Sequence, residues 1–131
     1  IMASELRVNT LKDASGNNSV AMEYVAGGSA KAWANHNNTG TVVLNANLNV
    51  SSLSDIETGV GQLSFSNAMS DAYYSATHGG NQSGSQTTGG GVEDTIFTGT
   101  QATGSVYVIQ KNGGTAADFA SVNTTIHGDL A

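Results

Sequence analysis

The sequence predicts an all-β protein, built as an antiparallel β-sandwich or a barrel-like domain. Three observations predict this class: short runs of alternating apolar and polar residues recur along the chain, Gly- and Asn-rich turn segments separate them, and no stretch keeps the 3.6-residue period of a helix. The chain of 131 residues has material for one compact domain and a short arm.

The composition argues against several classes of protein. Charged residues make up 11% of the chain and apolar residues 38%, which favours a folded domain with a weakly charged surface over disorder. The four basic residues are scattered and the formal net charge is −6, so nucleic acid and acidic membrane surfaces are not expected partners. Without Cys there is no disulfide and no thiolate metal site. No apolar run is long enough to predict membrane insertion.

Residues 1–26 are predicted to form an extended N-terminal arm and linker. Leu6 and Val8 alternate with polar neighbours, and Leu11 interrupts this register. Residues 13–18 collect turn-forming side chains and should bend the chain, after which a second strand or a short connection follows. We expect the three apolar side chains of the arm to contact other chains.

Residues 27–131 are predicted to form the β-sandwich domain. Its clearest alternation places Leu44, Ala46, Leu48 and Val50 on one dry face. Further strands are predicted at residues 60–66, 73–77, 95–98, 105–109 and 120–126. Short helical turns are expected at most at residues 29–34 and 115–120.

A Gly- and Ser/Thr-rich segment, residues 78–92, is predicted to be an exposed loop because it lacks an apolar anchor. Loops of this length are usually functional or mobile. The candidate ligand-contact residues in this loop are His78, Asn81, Gln82 and Gln86.

Aromatic side chains are predicted to lie in the core or at a subunit interface. They are Trp33, Phe65, Tyr73, Tyr74 and Tyr107. The alternative is that Trp33 and the three tyrosines form a platform for a sugar, since flat aromatic faces pack well on pyranose rings.

No catalytic site, metal site or cofactor is predicted. His36, His78 and His127 are far apart in sequence, and the alternative is that they line a three-fold axis and bind a cation there. The acidic residues show no spacing that singles out a pair for sugar hydrolysis, although Glu93 and Asp94 would suit a weak calcium site. No nucleophile elbow and no phosphate-binding loop is present.

Six blocks distributed along the chain carry a family resemblance: residues 4–17, 28–35, 38–41, 49–53, 65–74 and 122–131. In these blocks the sequence resembles small bacteriophage virion proteins, described as tail-fibre or virion structural proteins and common in marine phages and prophages. Members often carry an aromatic residue where His36 stands, and residues 78–92 follow no fixed pattern. The resemblance implies a homotrimeric β-rich domain displayed on a virion, with no catalytic residues to transfer.

We therefore expect a non-enzymatic structural protein located on the virion. The first hypothesis is a trimeric tail-fibre-type appendage that binds a host surface glycan or protein, with Leu6, Val8 and Leu11 joining the arms or docking on other virion proteins. The second is a capsid decoration protein that clamps and stabilises the head shell through added interfacial area. The third is a small lectin or adhesin unrelated to phage. A trimer is favoured because a lone domain of this size buries little surface.

Overall fold

The structure, a computed structural model, describes residues 6–82 and 94–131. It is 58% strand and 6% helix, with antiparallel sheets packed together, which confirms the predicted all-β sandwich class. The elements are β1 (Thr10–Lys12), β2 (Ser19–Ala21), α1 (Met22–Gly28), β3 (Ala32–Asn37), β4 (Val43–Leu48), β5 (Val50–Glu57), β6 (Val60–Phe65), β7 (Ser75–Asn81), β8 (Asp94–Ala102), β9 (Ser105–Asn112), β10 (Thr115–Ala116) and β11 (Ser121–His127). Within the described residues, no helix has the length and apolar character needed to cross a membrane.

Two antiparallel sheets form the sandwich. In the first sheet β9 lies between β8 and β6, β6 pairs with β5, and the short β10 pairs with the end of β9. The second sheet has the order β4–β3–β11–β7. The chain passes from β4 in the second sheet to β5 in the first through Asn49, whose φ of 55° is left-handed. On the other side of the sandwich β7 lies against β8.

The core lies between the two sheets because alternate residues of the central strands face inward. Phe119, just before β11, is completely buried, and the rings of Phe65 and Tyr74 pack edge to face with centroids 5.7 Å apart. The buried apolar residues are Ala32, Ala34, Val50, Leu63, Phe65, Met69, Tyr74, Val106, Val108, Phe119, Val122 and Ile126. A single chain therefore has a core of its own.

One predicted dry face does not exist, that of Leu44, Ala46, Leu48 and Val50. Leu44 packs against the core, whereas Leu48 is exposed. The pairing of β3 with β4 shifts between Asn35 and His36 and leaves Asn45 as an extra residue on β4. Such a bulge turns the residues beyond it to the opposite face. The alternation within β4 could not reveal this shift, because a bulge is defined by the pairing with the neighbouring strand.

The predicted arm and linker, residues 1–26, is not one extended segment. β1 and β2 form a hairpin, and α1 follows β2 directly. Asp13 closes the hairpin turn, since its carboxylate accepts hydrogen bonds from the Asn18 side chain at 2.7 Å and the Asn17 backbone N–H at 3.0 Å. The bond from Asn18 is the main reason why the pKa of Asp13 is lowered. Two segments expected to form helical turns are strand or irregular instead, residues 29–34 and 115–120.

Candidate functional site

The first residues of the predicted ligand-contact loop, residues 78–92, belong to a strand and not to a loop. His78 and Asn81 belong to β7, and Gln82 is the exposed residue that follows this strand. The residues of this segment that belong to β7 have no apolar side chain to hold them against the core. They are held instead by backbone pairing with β11, which the composition of β7 did not indicate. The rest of the segment, including Gln86, lies outside the described residues.

His78 points into the sandwich. Its Nδ1 lies 3.0 Å from Oγ1 of Thr124 and its Nε2 lies 2.8 Å from Oγ1 of Thr98, so both ring nitrogens have a partner inside the protein. Burial, with a contribution from the nearby His36, lowers the pKa of His78 to about 4. The ring is therefore neutral at pH 7, and an external ligand would have to displace one of the two hydroxyls to reach it.

The three histidines do not come together within one chain. His36 and His78 lie on β3 and β7, on either side of β11, whereas His127 ends β11 opposite Ser75. Among the residues that the structure describes, no group of three or more His, Asp or Glu side chains could hold a metal ion. A cation site on a three-fold axis would have to combine side chains of different copies.

Polar side chains cluster in the core around His36. His36, Asn38 and Gln110 are completely buried. The Nδ1 of His36 lies 2.7 Å from Oδ1 of Asn38, and Oε1 of Gln110 accepts from the backbone N–H of Phe119 at 2.8 Å. In the described part of the chain His36 Nε2, Asn38 Nδ2 and Gln110 Nε2 have no hydrogen-bond partner. Burial lowers the pKa of His36 more strongly than the bond to Asn38 raises it, so this cluster is uncharged at pH 7.

A row of asparagines crosses the outer face of the second sheet. The Nδ2 of Asn45 donates to Oδ1 of Asn35 at 2.8 Å, and the Nδ2 of Asn35 donates to Oδ1 of Asn123 at 2.7 Å. We call these three residues the asparagine row. This row could not be predicted from the sequence alone. Its only signal was the repeated Asn at strand positions, and Asn35 and Asn123 are 88 residues apart.

Trp33 lies beside the asparagine row. Trp33 and Asn35 are two positions apart on β3 and therefore share the outer face of the sheet. Trp33 pairs with Leu48 on β4 and with Thr125 on β11, and the residue is 39% exposed to solvent. Trp33 is not part of the core of a single chain, because the buried residues of β3 alternate with it. Its place at a subunit interface stays a prediction.

The other aromatic residues lie in different places. Phe65 and Tyr74 are in the core, where burial raises the pKa of Tyr74 to about 12. Tyr73 is 92% exposed, and Tyr107 is half-buried on the outer face of the first sheet. The alternative of a platform formed by four aromatic side chains is therefore wrong as a single surface, and Trp33 is the member that lies beside the asparagine row.

The outer face of the first sheet is apolar at its centre. Val60 pairs with Ile109, and Ile109 pairs with Phe97, so these side chains cross β6, β9 and β8 in one row. Phe97 is 37% exposed, and the Nζ of Lys111 lies 5.5 Å from its ring centroid. We call Val60, Phe97, Ile109 and the neighbouring Tyr107 the apolar face.

The N-terminal hairpin and helix contribute nothing to the core. No residue in the range 6–29 is buried. Leu6 is 80% exposed, Val8 is half-buried, and Leu11 is an exposed cross-strand partner of Val20. The apolar side chains of the arm are thus available to a partner.

Comparisons with known proteins give no match to this chain, whether with protein-family models, with curated proteins or with solved structures. The class of the protein therefore comes from its own architecture. It is an all-β protein with two packed antiparallel sheets, an N-terminal hairpin and helix without a buried residue, and two chemically different outer faces.

Proposed function

We propose that this chain is a non-enzymatic structural protein of a bacteriophage particle, a trimeric tail-fibre-type appendage that presents its β-domain to the host surface. A difference in burial between two parts of the chain supports this proposal: the sandwich has its own core, whereas residues 6–29 have no buried side chain. A folded display domain joined to a segment that needs a partner is the construction expected of an attached subunit. The phage context comes from the resemblance of the six sequence blocks.

The arm is the proposed attachment element. Leu6 projects into solvent, and Leu11 and Val20 form an exposed apolar pair on the hairpin. Burying such side chains contributes about 25 cal/mol for each Å² of apolar surface removed from water. We propose that these residues dock on another virion protein or on the arms of neighbouring subunits.

The apolar face is the proposed contact between subunits. Phe97 and the half-buried Val60 and Ile109 form a continuous apolar row on the outer face of the first sheet, with Lys111 beside Phe97. A second or third copy would remove this row from water, which a single chain does not do. Three copies would also multiply weak contacts to a host ligand.

A capsid decoration protein is the second candidate. The described part of the chain contains a hairpin and a short helix before the sandwich and no fibrous shaft. A short folded arm of this kind also suits a clamp that reaches a neighbouring subunit of a head shell.

The location on the particle and the role of the arm can be tested together. We expect an antibody label to decorate the tail of virions from the strain that encodes the chain, and a variant without residues 6–28 to be lost from particles. Because the deleted range has no buried residue, this variant should keep the thermal unfolding temperature of the sandwich. Label spread over the whole head would support the decoration alternative. Absence from purified virions would contradict both.

The proposed trimer can be tested by light scattering with size-exclusion chromatography. The wild-type chain is expected to have the mass of a trimer at about 10 µM, a concentration at which a specific interface of moderate affinity is occupied. The double variant Phe97→Ser with Ile109→Ser should shift toward monomer. The matched control is Tyr73→Ser, which removes an aromatic ring that is almost fully exposed elsewhere. A wild-type monomer at this concentration would refute the trimer.

A further inference from the structure

We propose that the outer face of the second sheet is a binding site for a neutral carbohydrate, in which Trp33 stacks on a sugar ring and the asparagine row binds its hydroxyl groups. This inference rests on the proposed function and deepens it, because it names the chemistry of the surface ligand and the residues that bind it.

The site has one aromatic wall. Trp33 and its cross-strand partner Leu48 form an apolar edge on β3 and β4, and both side chains are partly open to solvent. A pyranose ring has one face of C–H groups, which packs on an indole ring and loses little by leaving water. On the other side of Trp33, Thr125 and then Thr77 continue the same row across β11 and β7 with hydroxyl-bearing side chains.

The asparagine row supplies directed hydrogen bonds next to this wall. Each amide offers two N–H donors and a carbonyl oxygen. The row uses one donor of Asn45 and one of Asn35, so a donor remains on each of them and both remain on Asn123. The two internal bonds hold the amide planes in a fixed orientation before a ligand arrives. Such preorganisation lowers the entropic cost of binding.

The floor of the site is open toward the edge of the sheet. Asn35 pairs with Asn123, and Asn123 pairs with Gly79 on β7. Gly79 has no side chain, and a Cβ placed there would meet no atom within 4 Å. The row of amides therefore leads into free space at Gly79, where a chain of several sugar residues can pass.

The face suits a neutral ligand. Its two rows contain no charged side chain; they consist of Leu48, Trp33, Thr125 and Thr77, and of Asn45, Ala46, Asn35, Asn123 and Gly79. Along these two rows a phosphate backbone or an acidic polymer would find no cation to pair with. A second copy of the chain is better served by the apolar face, because amides buried against a protein surface need matched partners. Sugar hydroxyls, which both donate and accept, satisfy amides in either orientation.

The chain contains its own reporter, since Trp33 is its only tryptophan. Purified protein would be titrated with neutral oligosaccharides of glucose, mannose, galactose, rhamnose and N-acetylglucosamine while the emission of Trp33 is recorded. We expect a saturable change with at least one of these series, with a Kd on the order of 1 mM or lower. No saturable change with any of them, or binding of acidic polysaccharides alone, would overturn the inference.

Calorimetry on variants would then locate the site. Trp33→Ala should weaken binding at least about tenfold, Trp33→Phe should keep most of it, and Asn123→Ala should weaken it several-fold. The matched control is Tyr73→Ala, which removes an exposed ring outside the site and should bind as the wild type does. Variants are compared only when their thermal unfolding matches the wild type. Binding that survives Trp33→Ala would contradict the assignment.

Three further outcomes bear on this inference, and the last two separate it from the proposed function. A change in Trp33 emission on dilution of the protein without sugar would indicate that a second copy covers the face, and would refute the carbohydrate site. A chain found on virions that binds none of the sugars would leave the structural role intact and overturn only the site. A chain that binds sugar through Trp33 but is absent from virions would support the site and overturn the structural role.

Discussion

Replacing Gly59 by alanine is expected to lower the free energy of unfolding by about 3 kcal/mol, or to prevent folding altogether. Gly59 lies between β5 and β6 with a φ of +77° and is buried. A Cβ at this position would lie 2.6 Å from the backbone oxygen of Gln110 and 2.8 Å from the backbone nitrogen of Ala117. Both atoms belong to the main chain of the first sheet or its connection to β11, so neither can move aside cheaply.

Gly40→Ala is the matched control for Gly59→Ala. Gly40 also has a left-handed φ, +62°, but a Cβ there would meet no atom within 4 Å. Its replacement should therefore cost only the conformational strain, about 1 kcal/mol. Urea unfolding of both variants measures the difference that is due to the backbone clash. Equal effects of the two substitutions would show that the close approach around Gly59 is not maintained in solution.

Acidification from pH 7 to pH 4 is expected to destabilise the sandwich, because two neutral imidazoles are enclosed in it. Burial lowers the pKa of His36, and burial together with His36 lowers the pKa of His78 to about 4. The hydrogen-bond partners of the two rings are the side chains of Asn38, Thr98 and Thr124, none of which is acidic.

The direction of the pH dependence follows from these lowered pKa values. Unfolded histidine titrates near pH 6.5, so below that pH the unfolded chain binds more protons than the folded one. Stability is therefore fully present above about pH 6.5 and is lost progressively as the pH falls toward the folded pKa of His78 near 4. For His78 alone we expect the free energy of unfolding to fall by about 2 kcal/mol. This is less than the pKa difference between the folded and unfolded states would give, because solvent partly screens the ring.

Urea unfolding at a series of pH values between 7 and 4 measures this loss. His78→Asn removes the titrating ring and should flatten the pH dependence, although it lowers stability at pH 7. The matched control is Thr98→Val, which removes a hydrogen-bond partner of His78 but keeps the imidazole. This control should lose stability at every pH and still unfold more readily in acid. Identical pH profiles for wild type and His78→Asn would refute the explanation.

The strands that could be predicted best are those in which the alternation of buried and exposed residues runs without interruption along the strand itself. Residues of β6, β9 and β11 alternate between buried and less buried positions, as the period-two pattern predicts. The arm was harder to predict because α1 has no cap side chain and its seven residues show no sustained period. The predicted start of the exposed loop was wrong because His78 and Asn81 are paired along β11, which no local composition could indicate.

The candidate site depended even more on the tertiary structure. The sequence identified Trp33 as an aromatic residue of interest and named a sugar platform as an alternative, but it combined Trp33 with tyrosines that lie elsewhere. The residues that share the outer sheet face with Trp33 are Asn35, Asn45 and Asn123, and only sheet pairing brings them together. Cross-strand neighbours are set by register, which a single strand does not encode by itself.

The sequence alone determined the all-β class, the approximate positions of most strands and the turn at Asp13, because alternation and turn chemistry act over a few neighbouring residues. Only the tertiary structure decided which face each strand presents and which distant side chains meet. The bulge after Asn35 turned Leu48 outward to pair with Trp33, and the pairing of β3 with β11 placed Asn123 beside Asn35. The physical reason is that side chains alternate with a period of two, so a shift of one residue in pairing reverses a whole face.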